Sequence, residues 1–455
     1  MKIFPIVLAA GQGTRMHSSL PKVLHAIAGK PMLQHVVDAC FELDTKQLAV
    51  VYGHGGELVQ QKIRHPQISW ALQAEQKGTG HAVAQAIDLA ADEDAVLVAY
   101  GDVPLIRVQT LRALTAGLEN SDLCVLSTRL EQPKGYGRIV CDAQGNVTAI
   151  TEEKDADDEI RQITEVNSGF IAARGADLKR WLRQLTPKNS QGEYYLTDCV
   201  GLAVAEGLRV NTVLCDDPLE VEGANNRVQL ARLEREAQRR QVEDIMLSGA
   251  SVADPARLDI RGSVSVGSDV FIDINVLLEG EVTLGNDVVI EPNCVLKNVV
   301  LGDGCHIKAN SHLEQASVAA NCDIGPFARI RPGTELAEGA KIGNFVETKK
   351  AKIGRGSKVN HLSYVGDTNM GDDVNIGAGT ITCNYDGANK HITMIADGVF
   401  VGSGSQLVAP VSIEAGATIG AGSTITKQVA AGSLALTRAK QVAIQDWQRP
   451  VKEKK

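Results

Sequence analysis

Val266-Gly267-Ser268-Asp269-Val270-Phe271-Ile272-Asp273-Ile274-Asn275-Val276-Leu277-Leu278-Glu279-Gly280-Glu281-Val282-Thr283-Leu284 carries an aliphatic residue at every sixth position: Val266, Ile272, Leu278 and Leu284. The series continues through Ile290 and Leu296, recurs at Ile324, Ile330, Leu336 and Ile342, and recurs again at Ile395, Val401, Leu407, Ile413, Ile419 and Ile425. Gly often follows the aliphatic residue, as in Leu284-Gly285, Leu301-Gly302, Ile342-Gly343, Ile376-Gly377 and Ile419-Gly420. A fixed six-residue period sustained over three runs is the signature of a parallel β-helix. Each hexapeptide forms one flat face of a triangular coil, its aliphatic side chain stacking inward on the coils above and below, and small residues turn the corners. A sandwich has no reason to keep a fixed period, whereas a solenoid does. Bulky rings do not fit so narrow an interior, which agrees with 4% aromatic residues against 44 glycines. The period breaks at Cys383-Asn384-Tyr385-Asp386-Gly387-Ala388-Asn389-Lys390. An extruded loop of this kind is where a smooth solenoid places function.

Upstream the text changes. From Arg227 to Leu247 there is neither Gly nor Pro, and Leu230, Leu233 and Ala237 recur at helical spacing. Asn226 suits the cap of this helix and Gly249 stands just past its end. Before it, Ile3 to Ala9, Leu48 to Tyr52, Ala95 to Tyr100 and Leu123 to Ser127 read as strands, separated by amphipathic stretches such as Pro31 to Leu43. This alternation predicts a mostly parallel sheet covered by helices, with ligands at the carboxyl ends of its strands, so the loops after Leu8 and after Tyr100 stand out. The expected order is an α/β, Rossmann-like domain over 1–225, a long linker helix over 226–247, and a β-helix domain with a tail over 248–455.

The length of 455 residues allows two or three domains, and 44% hydrophobic with 22% charged residues is a globular composition. A net charge of -9 provides no broad basic field, so no nucleic-acid partner is expected. Nine cysteines without any C-x-x-C spacing suit a reduced compartment with free thiols. The start, Met1-Lys2 then Ile3 to Ala10, imitates a signal peptide, but it leads straight into Gly11-Gln12-Gly13-Thr14-Arg15 and is read as the first strand. No stretch approaches the roughly 20 apolar residues of a membrane span. The expectation is a soluble, cytoplasmic protein without a membrane partner. The tail from Gln441, with Lys452, Lys454 and Lys455, reads as a solvated end.

Gly11-Gln12-Gly13-Thr14-Arg15-Met16 fails the dinucleotide pattern, because Met16 stands where a third Gly belongs, and it fails the P-loop pattern as well. What remains is a strand, a Gly-rich turn exposing N–H groups, and two cations, Arg15 and Lys22, which together suit a polyphosphate. The complete run Leu8-Ala9-Ala10-Gly11-Gln12-Gly13-Thr14-Arg15-Met16 with Pro21-Lys22 resembles the signature of sugar-1-phosphate nucleotidyltransferases. Tyr100-Gly101-Asp102-Val103-Pro104-Leu105 resembles the same family's metal-bearing strand end. By itself Asp102 is better read as a turn residue before Pro104. Joining several negative phosphates requires cations, which Arg15 and Lys22 supply, and a hard Mg²⁺ prefers carboxylate or amide oxygens. The resemblance gives that metal to Asp102 and Asn225. It gives uracil to Gln73, Gly78 and Thr79, and the N-acetylglucosamine group to Gly137, Glu152 and Asn167. A Gln, Glu or Asn taken singly is usually a surface residue.

A nucleotidyltransferase domain, a long helix and a hexapeptide solenoid together resemble, over essentially the whole chain, the bacterial family of bifunctional glucosamine-1-phosphate acetyltransferases and N-acetylglucosamine-1-phosphate uridylyltransferases. Arg329-Ile330-Arg331-Pro332-Gly333, Gly343-Asn344-Phe345-Val346-Glu347-Thr348-Lys349-Lys350, Asn375-Ile376-Gly377-Ala378-Gly379-Thr380 and Thr382-Cys383-Asn384-Tyr385-Asp386-Gly387 carry this resemblance. It implies a left-handed β-helix whose general base is His361, in Asn360-His361-Leu362-Ser363-Tyr364. Arg331 and Lys349 would grip the sugar phosphate. Tyr364, Asn375 and Asn384 would orient the amino sugar, with Tyr385 beside it. Acetyl-CoA would lie along Ala378, Ser403, Ala421 and Arg438, with Asn384 and Tyr385 touching it. A His taken at random is more often structural.

The resemblance further implies a homotrimer whose acetyltransferase sites lie between chains, with glucosamine 1-phosphate, acetyl-CoA, UTP and N-acetylglucosamine 1-phosphate as small-molecule partners. It implies a cytoplasmic role in supplying UDP-N-acetylglucosamine for peptidoglycan and lipopolysaccharide. Two alternatives remain at this point. Hexose-1-phosphate adenylyl- or guanylyltransferases join a similar first domain to a non-catalytic, regulatory solenoid, and some translation-factor subunits resemble the same plan without being enzymes. Neither would need His361 and Asn384, and the second would not need Lys22 and Asp102.

Overall fold

The computed structural model describes residues 1–11, 13–53 and 55–452. Gln12 of the Gly-rich turn and Lys454 and Lys455 of the tail lie outside the described residues. The chain divides into two compact units, Met1–Gln238 and Arg239–Lys455.

In the first unit, among the described residues, nine strands form one sheet: β1 (Ile3–Ala9), β2 (Leu48–Tyr52), β3 (Ile68–Leu72), β4 (Ala95–Tyr100), β5 (Leu123–Arg129), β6 (Arg138–Cys141), β7 (Val147–Thr151), β8 (Glu165–Arg174) and β9 (Val210–Cys215). The order is β9-β5-β8-β4-β1-β2-β3, with β6 pairing β8 and β7. The pairs β1–β2, β1–β4, β2–β3 and β5–β9 are parallel, and β8 runs against both of its neighbours β4 and β5. Alternating residues of one strand enter different cores: Ile6 and Leu8 one, Val7 and Ala9 the other. Both faces are therefore covered, which is why these strands are apolar throughout rather than alternating. From β1 the chain moves out through β2 and β3, then returns to the opposite side of β1 as β4. This reversal is a topological switch point, and it opens a crevice above the carboxyl ends of β1 and β4. The amphipathic stretch after Pro31 forms helix α1 (Met32–Phe41).

The long helix α2 (Arg227–Leu247) starts where Asn226 Oδ1 accepts from the N–H groups of Val228 and Gln229. Leu233 and Ala237 pack on Ile27, Met32 and Leu105 in the first unit, while Val242 and Ile245 enter the core of the second. Gly249, just past its end, takes φ +126°, a conformation few other residues adopt.

The second unit is a parallel β-helix, consistent with the left-handed hexapeptide coil. Its inter-coil ladders are parallel, and Ile260 lies beside Leu278 and Leu278 beside Leu296. The periodic aliphatic residues are buried, with one exception. Val266 is only half-buried because it ends the first strand of its ladder and has a neighbouring coil on one side alone. Corners are turned by Asn and Asp at positive φ, such as Asn275, Asn293, Asn310 and Asp373. Phe271, Phe327, Phe345, Phe400 and Tyr385 all point outward. Most coils advance by 17 or 18 residues, the first by 20 and the last by 16, and between Asp372 and Asp397 the step is 25 because the loop at 384–392 is inserted.

Leu296 stacks between Leu278 and Leu313 with no exposed surface. Leu296→Ala is expected to cost about 2–5 kcal/mol by denaturant titration, whereas Val300→Ala on the exposed side of the same strand stays within about 0.5 kcal/mol.

Candidate active sites

The crevice at the switch point is a cleft of about 380 Å³ lined by Leu8, Ala9, Ala10, Gly11, Lys22, Gln73, Gly78, Thr79, Tyr100 and Asp102, with Gln76 and Glu193. Between Tyr100 and Asp102, Gly101 extends the β1–β4 pairing, its N–H donating to Leu8 O at 2.9 Å, and a Cβ there would meet Leu33 at 2.8 Å. Gln73 is buried, and its Nε2 lies 3.2 Å from Gly78 O, which leaves the amide oxygen and the Gly78 turn side by side. Gln76, which motif reading quoted without assigning it, donates to Ala10 O and so shapes the same wall.

At one end of the cleft the charged residues converge. Lys22 Nζ lies 2.5 Å from Asp102 Oδ2 and 3.2 Å from Asn225 Oδ1, and Arg15 donates to the same Asn225 oxygen at 3.1 Å. The Asp102 loop is itself fixed, because Asp102 O accepts from Ala224 N, which precedes Asn225. One carboxylate oxygen and one amide oxygen thus face the same ammonium, from segments far apart in sequence. Among the described residues no group of three or more His, Cys, Asp or Glu is placed to hold a metal.

Beside Tyr100 lies a second row. Gly137 O accepts from Asn167 N at 2.8 Å, and a Cβ on Gly137 would lie 3.4 Å from the Glu152 carboxyl. Burial raises the Glu152 carboxyl above its usual range, opposed by the hydrogen bond from Thr197. Burial, with the Glu152 and Asp102 carboxylates nearby, pushes the Tyr100 phenol up as well.

On the β-helix, one corner forms a column. Asn344 is in register with His361 on the next coil. Lys358 opposite Asn375, Ile376 opposite Val401, and Val401 opposite Ile419 then carry the same corner through Ala378, Ser403 and Ala421. Ala378 O accepts from Gly404 N at 2.7 Å and Ser403 O from Gly422 N at 2.8 Å, while Arg438 lies over Gly422. His361 is exposed, and its Nδ1 lies 3.0 Å from Asn344 Oδ1. An amide oxygen only accepts, so in this contact Nδ1 is the donor, and in the neutral ring the lone pair is then on Nε2. The corner is turned by Leu362 at φ 46°, and by Phe345 and Phe327 on the coils beneath at 55° and 56°, where other corners use Asn, Asp, Gly, Gln315 or Lys350. Leu362 and Phe345 are 65% and 56% exposed, and the Phe345 and Phe327 rings stack at 5.2 Å.

Round that corner, Ile330 opposite Thr348 brings Arg331 and Lys349 onto adjacent coils, and Arg331 donates to Glu347 at 2.6 Å. The Lys390 ammonium beside Lys349 lowers its pKa, with Arg331 adding to the crowding and Asp367 opposing it. Asn384 is buried, its amide at 2.5 Å from Asp367 Oδ2 and 3.4 Å from Tyr364 OH, whereas Tyr385 is exposed. The structure does not bring Asn375 into this group within one chain. It sits in the neighbouring ladder between Lys358 and Phe400, on the other side of the Ala378 corner.

Residues 5–168 match the family described as MobA-like NTP transferase domain, residues 260–353 the GMPPB C-terminal domain, and residues 392–427 the bacterial transferase hexapeptide with six repeats. The bifunctional protein GlmU of Marinobacter nauticus is 56% identical over 447 residues, which cover 98% of this chain and 98% of that one. The chain belongs to the GlmU family. Two solved structures align with about half of it. One is described as a glucose-1-phosphate thymidylyltransferase of Bacillus anthracis, 17% identical, covering 52% of this chain and 95% of its own, with a TM-score of 0.41. The other is a UDP-glucose pyrophosphorylase complexed with UDP-glucose, 16% identical, covering 53% and 100%, with a TM-score of 0.44.

Motif reading of this GlmU-family chain quoted Asn344 and Lys390 without giving either a role. Asn344 stands 17 residues before His361, and counting back one coil finds it. Lys390 lies in the aperiodic loop, where no period reaches it.

Proposed function

We propose that this chain makes UDP-N-acetylglucosamine in two steps. The second unit acetylates glucosamine 1-phosphate, and the first transfers uridylyl from UTP to the resulting N-acetylglucosamine 1-phosphate, releasing pyrophosphate. One observation carries the reading: each unit of this GlmU-family chain has its own converged polar site, Lys22 with Asp102 and Asn225 in one and His361 with Asn344 in the other.

In acetyl transfer the amine nitrogen attacks the thioester carbonyl, a C–N bond forms, the C–S bond breaks and coenzyme A leaves as its thiol. His361 Nε2 takes the ammonium proton and returns it to sulfur. Arg331, Lys349 and Lys390 hold the phosphate, whose charge relieves their mutual crowding. Asn384 and Tyr364 orient the amino sugar, with Tyr385 at its edge. Acetyl-CoA lies along the column of Ala378, Ser403 and Ala421 toward Arg438, and methyl side chains leave this contact to backbone atoms. Asn375 on a separate ladder and the exposed apolar column of Phe327, Phe345 and Leu362 support a trimer whose acetyl sites are completed by a neighbouring chain.

In uridylyl transfer a phosphate oxygen of the sugar attacks the α-phosphorus and the bond to pyrophosphate breaks. Leu8 through Gly11 wrap the nucleotide, Gln73, Gly78 and Thr79 read uracil, and Tyr100, next to Gly101, lines the cleft. Gly137, Glu152 and Asn167 receive the N-acetyl sugar, while Arg15 and Lys22 offset phosphate charge. The hard oxygen donors of Asp102 and Asn225, converged on one ammonium, suit Mg²⁺, and they would hold it together with phosphate oxygens and water. When bound, the metal supplies further charge neutralisation. No described helix is long and apolar enough to cross a membrane. The proposed setting is the bacterial cytoplasm.

The test is one purified sample given glucosamine 1-phosphate, acetyl-CoA, UTP and Mg²⁺, with free thiol and pyrophosphate followed separately. Thiol release is expected without UTP. Pyrophosphate release is expected only after acetylation or with added N-acetylglucosamine 1-phosphate. Pyrophosphate without any thiol release would make the solenoid regulatory.

A further inference from the structure

Arg138 is 1% exposed, and a guanidinium is almost never fully buried unless it is paired. It lies where three strands cross: β6 carries it, Thr151 of β7 stands opposite on one side, and Val166 of β8 on the other. Both pairings are antiparallel, so one step along each strand brings Gly137, Glu152 and Asn167 into a single row. These three residues form the proposed sugar subsite.

The head group ties together what surrounds that row. It donates to Glu153 Oε2 at 2.7 Å, immediately after Glu152, to Tyr136 O, immediately before Gly137, and to Arg161 O at 3.5 Å. Glu153 Oε2 also accepts from Gly135 N at 3.2 Å, so one ion pair holds both sides of the loop that delivers Gly137. Gly135 has φ +92° and open space around it, and it brings no packing of its own to that loop. The Arg138 guanidinium holds the Glu153 carboxyl below its usual range.

We propose that Arg138 is a positioning residue for the sugar: its buried fork sets the spacing of Gly137, Glu152 and Asn167 and thereby the recognition of an N-acylated hexosamine phosphate. This rests on the reading of those three residues as the sugar subsite. The nucleotide end of the cleft is built by other segments, the loops after β1 and β3, and it does not depend on Arg138. Lysine keeps the charge but loses the fork, so it does not substitute.

The experiment is steady-state uridylyl transfer by the full chain, comparing Arg138→Lys, Glu153→Gln and Asn167→Ala with the unaltered protein. Arg138→Lys and Glu153→Gln are each expected to raise KM for N-acetylglucosamine 1-phosphate about tenfold, with KM for UTP unchanged, because misplacement by a fraction of an ångström weakens only the contacts of that row. Glu153 is partly exposed, so its variant decides the matter if the lysine variant does not fold. Asn167→Ala tests the subsite itself. If it leaves the sugar KM unchanged, the subsite reading falls and the proposal with it. If it raises the sugar KM while Glu153→Gln leaves it unchanged, or if both Arg138 and Glu153 variants raise the two KM values equally, Arg138 is structural and the proposal alone is overturned.

Discussion

His361→Ala lowers acetyl transfer by about 10² or more while uridylyl transfer continues at the rate of the unaltered chain. The size follows from what the substitution removes. A proton must leave the attacking nitrogen as the C–N bond forms, and His361 Nε2 is the lone pair made available for it by the hydrogen bond from Nδ1 to Asn344. Alanine leaves the column of backbone groups and the phosphate cations in place, so the loss falls on turnover more than on binding. His361 is exposed at a corner and its removal opens no cavity in the stack. The variant therefore melts with the unaltered protein. Thiol release and pyrophosphate release, measured on one preparation with N-acetylglucosamine 1-phosphate supplied for the second, check it. Equal loss of both activities would indicate misfolding, and undiminished thiol release would remove His361 from the chemistry.

Asp102→Ala is the mirror experiment. Uridylyl transfer falls at least about 10²-fold, the scale on which removing one preorganised charged group acts, and acetyl transfer is unchanged. Two consequences of the geometry combine. The convergent donor set loses its carboxylate and retains only the Asn225 amide. Lys22, with 13% of its side chain exposed, loses the anion 2.5 Å away and remains a cation in a closed cleft. Asp102→Asn separates the two, since it keeps the oxygen and the shape but removes the charge. Pyrophosphate release titrated against Mg²⁺ is the readout. A pair of variants that retain wild-type release at ordinary Mg²⁺ removes Asp102 from the metal site.

The periodic part of this molecule was readable because a solenoid repeats one physical requirement, an aliphatic residue pointing inward every sixth position, and Ile272, Ile330 and Ile419 each meet it. The strand-turn run at Leu8 to Arg15 was readable because a glycine turn after a buried strand has few uses. Pairings between coils were less accessible. The ladder slips between Glu279 and Val282, the coil step changes from 18 residues to 17, and counting in sixes no longer pairs Asn344 with His361. Asn375 illustrates the same limit, because a corner intervenes between its ladder, which is that of His361, and the ladder of Lys349 and Tyr364. Arg138 was visible as a letter beside Gly137, but a buried charge is defined by its surroundings, and those come from β7, β8 and the Arg161 turn.

The corner column has one further consequence. Coils stack at the spacing of adjacent strands, so the path from His361 through Ala378 and Ser403 to Ala421 is a ruler of three graduations, roughly 14 Å at about 4.8 Å each. On the proposed assignment, the reach of the acyl carrier is measured in whole coils. Adding or deleting one coil between His361 and Ala421 would leave every aliphatic stack intact, yet it would displace the carrier's anchor from the base by a full graduation. The fold tolerates any number of coils, and the chemistry accepts one.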